Sequence, residues 1–114
     1  VASDLNTQLL KGTLQGCLLI LLSHQKLYGY AISEALSTFG FADIPKGTIY
    51  PLLLTMEKKQ LLKSERQPSP DGPTRKYYVI TAAGKQARDE FIAQWSTLTN
   101  NVATLMQKED FDES

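Results

Sequence analysis

The chain has 114 residues, 42% of them apolar, and twelve basic side chains balance twelve acidic ones. That length allows one domain with one real core. Zero net charge excludes a protein that coats nucleic acid by bulk positive charge alone. The charge is nevertheless polarised. Ile44 to Tyr77 hold the cations Lys46, Lys58, Lys59, Lys63, Arg66, Arg75 and Lys76 against the acids Glu57, Glu65 and Asp71, while the segments on either side are net acidic. Local field governs attraction to a phosphate partner, so the middle third is where one is expected.

Asn6 to Ser23 reads as a helix, with Leu9, Leu10, Leu14, Cys17, Leu18 and Leu21 recurring at three- and four-residue spacings. Its second half is apolar all round and should be buried. Gly12 and Gly16 would let another helix approach closely. Cys17, the single cysteine, excludes an intrachain disulfide, points to a reducing compartment and reads as a small core residue. The apolar run Cys17 to Leu22 is too short to cross a bilayer and no signal-peptide pattern is present, so no membrane is expected as a partner and the expected location is the cytoplasm.

His24 to Leu27 reads as a short polar connector. Tyr28 to Thr38 forms a second helix with Ile32, Ala35, Leu36 and Phe39 on one face, ended by Gly40 as a left-handed cap. Phe41 to Pro45 is an extended connector, because the residue before a proline avoids helical angles. A third helix begins near Lys46 to Thr48, with Ile49, Leu52, Leu53 and Met56 as its apolar stripe. Pro51 is placed in or near the first turn, where amides lack helical partners. Gly47, Pro51, Leu54 and Lys58 lie on the opposite face, flanked by Tyr50 and Thr55.

After Gln60 the pattern shifts to period two. Leu62 to Gln67 and Arg75 to Ile80 read as strands, and Pro68 to Pro73 as a long hairpin tip. Tyr78 shares a face with Ile80 and reads as core; Tyr77 is given no ligand role. Thr81 caps a last helix running to about Lys108. Along it Phe91, Trp95, Leu98, Val102 and Leu105 form a heptad seam longer than so small a body can cover. The expected fold is therefore mainly α with a small β-hairpin (α+β): a winged helix-turn-helix over residues 5–80, a dimerisation helix over 81–108 and an acidic tail without fixed structure over 109–114.

Two stretches then carry a family resemblance. Gly47-Thr48-Ile49-Tyr50-Pro51-Leu52-Leu53 with Glu57-Lys58-Lys59-Gln60-Leu61-Leu62, and Asp71-Gly72-Pro73-Thr74-Arg75-Lys76-Tyr77-Tyr78-Val79-Ile80-Thr81, resemble the third helix and the wing of PadR-like regulators. Tyr28-Gly29-Tyr30-Ala31-Ile32 matches the start of the family's second helix. The resemblance covers roughly Leu9 to Leu105. It implies a dimeric repressor whose third helix enters the major groove of double-stranded DNA, across two half-sites of an operator. Thr48, Tyr50 and Pro51 would lead the recognition helix, and Gly72, Arg75 and Lys76 would sit on the wing. Lys46, Thr55 and Lys58 complete the expected DNA-binding set. Leu9, Leu10, Phe91, Trp95, Leu98, Val102 and Leu105 form the expected homodimer contact. Some family members bind flat aromatic compounds between the terminal helices, so Trp95 is also a candidate to stack on a small aromatic effector; dimer packing is the plainer role for it.

The chain departs from the pattern at three places. Leu54 and Thr55 stand where basic residues are frequent, and Thr74 replaces a frequent arginine. Gln60 replaces a glycine, so the end of the third helix should be capped by other means. Exposed Leu54 and Pro51 leave open a second reading, a winged-helix module that binds protein without specific DNA readout. His24 has no second His or Cys at ligand spacing, so no metal is expected. No nucleophile–base pair or phosphate-cradling glycine loop appears; neither cofactor nor enzymatic activity is expected.

Overall fold

The computed structural model describes residues 2–41 and 44–108, with side chains from Leu9 onward except Lys11. The chain runs α1 (Ala2–His24), β1 (Leu27–Tyr28), α2 (Gly29–Thr38), α3 (Lys46–Lys58), β2 (Leu62–Ser69), β3 (Gly72–Ile80) and α4 (Ala82–Met106). The expected tail, 109–114, and part of the expected 41–45 connector lie outside the described residues. Three helices, a hairpin and a long last helix make this a winged helix of the α+β class, as the order of periodicities predicts.

One core holds the body together. Leu14, Leu18, Leu19, Leu21 and Leu22 of α1 meet Ile32 and Leu36 of α2, Ile49, Leu53 and Met56 of α3, Leu62 of β2 and Tyr78 of β3. Each fully buried aliphatic side chain contributes roughly 1.5–3 kcal/mol relative to exposure. Phe39 does not join them: it is the residue after α2, and it stands 71% exposed.

Both α2 and α3 end in the same capping motif. At α2 the N–H of Gly40 (φ 95°) donates to Ser37, and that of Phe41 reaches back to Leu36 at 2.9 Å. At α3 the N–H of Gln60 (φ 63°) donates to Glu57 and that of Leu61 to Met56 at 3.0 Å. This is the Schellman arrangement, which satisfies the last helical carbonyls and calls for a left-handed residue. Contrary to expectation, loss of the glycine at position 60 changes the residue and not the cap.

The sheet differs from a plain hairpin in two ways. Its order is β1-β3-β2, antiparallel throughout, because Leu27 and Tyr28 pair with Tyr78 and Tyr77. Leu27, read as connector, and Tyr28, read as the start of the second helix, therefore form a third strand, which two residues are too short to reveal by alternation. The tip is also short. Strands extend to Ser69 and from Gly72, leaving Pro70 and Asp71 as the turn. Between the Gln67–Arg75 and Ser69–Gly72 pairs, Pro68 faces both Pro73 and Thr74, a bulge. Prolines are tolerated there because β1 pairs only with Tyr77 and Tyr78, so both strands are edges toward the tip. Gly72 (φ 147°) takes a conformation that side chains disfavour.

Thr81 locks the wing to the last helix. Its hydroxyl accepts from the Gly84 amide at 3.0 Å and lies 2.7 Å from the Gln60 carbonyl oxygen, to which it donates. A Cβ on Gly84 would run into the Leu61 carbonyl, so only glycine lets α4 start this close to the turn. From Ile92 to Lys108 every residue of the last segment is exposed. The molecule is accordingly elongated, 66 Å along its long axis against 31 and 22 Å.

Candidate nucleic-acid interface

The amphipathic pattern of α3 fixes which side chains it offers. With Ile49, Leu53 and Met56 buried, Lys46, Gly47, Thr48, Tyr50, Pro51, Leu54, Thr55 and Lys58 are left exposed. Pro51 is the sixth residue of α3, a turn deeper than predicted. It has no N–H to give the Gly47 carbonyl, and that acceptor is left on the exposed side of the helix. Thr55 donates its hydroxyl to the Pro51 carbonyl at 3.0 Å, so it can only accept from an outside group.

Two cations on this side, Lys46 and Arg75, are positioned by aromatic rings. Lys46 lies over Tyr30 with its Nζ 5.2 Å from the ring centre. Arg75 lies over Tyr28 at 4.4 Å, and Tyr28 in turn packs edge-on against Tyr77. Stacking on a ring face holds a cation without neutralising it. Tyr50 rests on Gly29, whose missing side chain leaves room for the ring. Tyr28, Gly29 and Tyr30 of the β1–α2 junction, Tyr50 of α3 and Arg75, Lys76 and Tyr78 of β3 thus border one open cleft of about 270 Å³.

Lys76, expected beside Arg75 on the wing, has an acid partner in its own chain. Its Nζ sits 3.0 Å from Glu57 of α3 and 5.1 Å above the Tyr78 ring. Ser64 of β2 donates to the other carboxylate oxygen of Glu57 at 2.7 Å. These bonds hold the Glu57 carboxyl below the ordinary carboxylate range, the Ser64 hydroxyl first and Lys76 second, and Glu57 pushes Lys76 up. Lys76 therefore ties wing to helix while Arg75 and Lys58 remain unpaired by acid among the described residues. Glu65 of β2 pairs with Lys26 at 3.3 Å. Sequence reasoning missed Tyr28, Tyr30 and Glu57; the cations' aromatic seats and the acid partner lie far away in the chain.

The expected dimer residues fall into two groups. Phe91 is half-buried over Gly16 in its own chain and stacks with Trp95, ring centres 6.1 Å apart. Leu9, Trp95, Leu98, Val102 and Leu105 are exposed, Leu98 at 55% and Leu105 at 60%, and Leu10 is half-buried. Trp95 itself is 44% exposed. A larger apolar cavity of about 390 Å³ lies elsewhere, between Cys17, Ile20 and His24 of α1 and Leu36, Phe39 and Phe41. Burial pushes the Cys17 thiol up, in keeping with a packing role. Among the described residues no helix is long and apolar enough to cross a membrane, and no cluster of three potential metal ligands occurs.

Known proteins share this arrangement. A PadR-like transcriptional regulator from Bacillus cereus is 42% identical, with a TM-score of 0.80 over 88% of this chain and 97% of its own. A padr family transcriptional regulator from Eggerthella lenta is 34% identical, with a TM-score of 0.82 over 92% and 91%. A Streptococcus transcriptional regulator is 41% identical, TM-score 0.80, over 87% and 97%. An uncharacterized protein from Lysinibacillus sphaericus is 29% identical over 103 residues, 89% of this chain and 94% of that one. The profile described as "Transcriptional regulator PadR-like family" matches residues 18–90. On the match of that profile from the last turns of α1 through the first turns of α4, and on the shared winged helix, the chain belongs to the PadR-like family of DNA-binding transcriptional regulators.

Proposed function

We infer that the chain acts in the cytoplasm as a homodimeric repressor of transcription. The observation that carries this reading is the common cleft of Tyr50 and Arg75: the exposed face of α3 and the wing open on one side of the body. In this reading Thr48, Tyr50, Pro51 and Thr55 meet base edges and sugars, Lys46, Lys58 and Arg75 neutralise phosphates, and Gly72 lets the wing tip approach the duplex closely. Lys76 acts through Glu57 by holding the wing at its angle to α3. The apolar stripe beyond Phe91 has no cover in one chain, and pairing with a second copy would remove it from water. Such a dimer would set two α3 helices about 34 Å apart, one turn of DNA.

Three neutralised phosphates per protomer give a slope of log K against log salt of about −5. Fluorescence anisotropy on the duplex upstream of its own gene measures this, and a slope near zero would reject the reading. Release would follow if a planar aromatic effector, stacked on Trp95, preferred a dimer with a different half-site spacing. Quenching of Trp95 emission by the compound that frees the operator tests that step. Exposed Leu54 beside Pro51 favours the rival protein-binding reading. A partner still retained by the chain after nuclease treatment would support that rival.

A further inference from the structure

We propose that the cleft between the β1–α2 junction, α3 and the wing is a seat for a single phosphodiester group of the DNA backbone, with Arg75 as its cation and Tyr28 as the residue that positions Arg75. The inference rests on the DNA-binding reading and extends the interface to residues before α3.

Four observations meet at this place. Arg75 spreads over the Tyr28 ring at 4.4 Å, which fixes the guanidinium plane and leaves its N–H edges free to bond. Tyr28 is itself fixed, by its strand pairing with Tyr77 and by edge contact with that ring at 5.4 Å. The two acids nearest in the fold are both paired, Glu57 with Lys76 of the cleft lining and with Ser64, Glu65 with Lys26 outside it. The hydroxyls of Tyr30 and Tyr50, at the cleft's border, take part in no hydrogen bond among the described residues. A concave site about 270 Å³ in volume, with the positioned planar cation of Arg75 unpaired, the second cation Lys76 already bound to Glu57, free hydroxyl donors and no unpaired acid, suits a tetrahedral monoanion. A neutral aromatic ligand would leave the guanidinium edges without partners. A free cation would be repelled.

The test uses the full-length protein and a duplex from its own promoter region, with inorganic phosphate as the second probe. Arg75→Ala should make the salt slope shallower by about 1 per protomer. Tyr28→Leu keeps the charge but removes its platform and should weaken binding about threefold per seat, about tenfold for a dimer. Tyr28→Phe keeps the ring and should restore the affinity. Wild-type affinity and slope in both Arg75→Ala and Tyr28→Leu would overturn the seat while leaving the DNA reading intact. No binding by the wild type would overturn both. Amide shifts at Gly29 and Arg75 on adding duplex, absent with inorganic phosphate at matched ionic strength, assign the seat to a nucleic-acid phosphodiester independently of any variant's folding. Equal shifts with inorganic phosphate would overturn that assignment.

Discussion

The ring of Phe91 lies over the bare backbone of Gly16, in the space that any other residue would fill with its Cβ. This contact fastens α4 to α1 at the point where α4 leaves the body. The overlap would involve the root carbon of the ring, which cannot swing aside, so Gly16→Ala must push the helices apart. Overpacking costs about 1–3 kcal/mol and outweighs the ~1 kcal/mol that alanine gains over glycine in a helix. Gly12, one turn earlier, has open space around it. Gly12→Ala should therefore stabilise by about 1 kcal/mol while Gly16→Ala destabilises. Denaturant melts returning the same sign for both would show that the Gly16–Phe91 contact does not hold α4.

Gln60 takes a left-handed conformation without being glycine, which costs an L-residue about 1–2 kcal/mol. Its cap hydrogen bonds use backbone groups alone, so a glycine can make them all. Gln60→Gly should raise the unfolding free energy by about 1 kcal/mol, part of the relief being offset by a more flexible unfolded chain. A fall in melting temperature would mean that the Gln60 side chain contributes more than its backbone strain removes.

The Glu57–Lys76 pair makes attachment of the wing depend on pH. Folding lowers the Glu57 pKa below its ordinary 4.5, so its contribution is present above that value and is lost as the pH falls through the folded-state value. Folding raises Lys76 above 10.5, so its contribution is full below that value and is lost as the pH climbs past the folded-state one. The stability difference between wild type and Glu57→Gln should be largest between these limits and shrink on both sides. A difference that stays constant from pH 3 to pH 7 would show that Glu57 acts by packing and not by charge.

Leu98 and Val102 sit on the exposed stripe of α4, outside the buried core. Leu98→Glu with Val102→Glu should leave the far-ultraviolet circular dichroism unchanged and yield a single subunit in sedimentation. DNA affinity should drop about a hundredfold as the two half-sites uncouple. A variant that remains a dimer would move the interface away from this stripe.

Most of the fold is legible in the chain itself, because it is written in spacings between near neighbours. The stripes of Leu14, Leu18 and Leu21 and of Ile49, Leu53 and Met56, the left-handed turn at Gly40, the cap at Thr81 and the uncovered heptads after Phe91 each follow from geometry within a few residues. So does the exposed face of α3. What only the tertiary structure decided are the relations between segments: the pairing of Leu27 and Tyr28 with β3, the partner that takes Lys76 out of the free charge of the wing, the ring that holds Arg75, and the outward turn of Phe39. Tyr28 and Arg75 stand 47 residues apart in the chain. Whether such groups meet depends on strand register and helix packing, which sum many weak contacts over the whole core, and no local period encodes that sum.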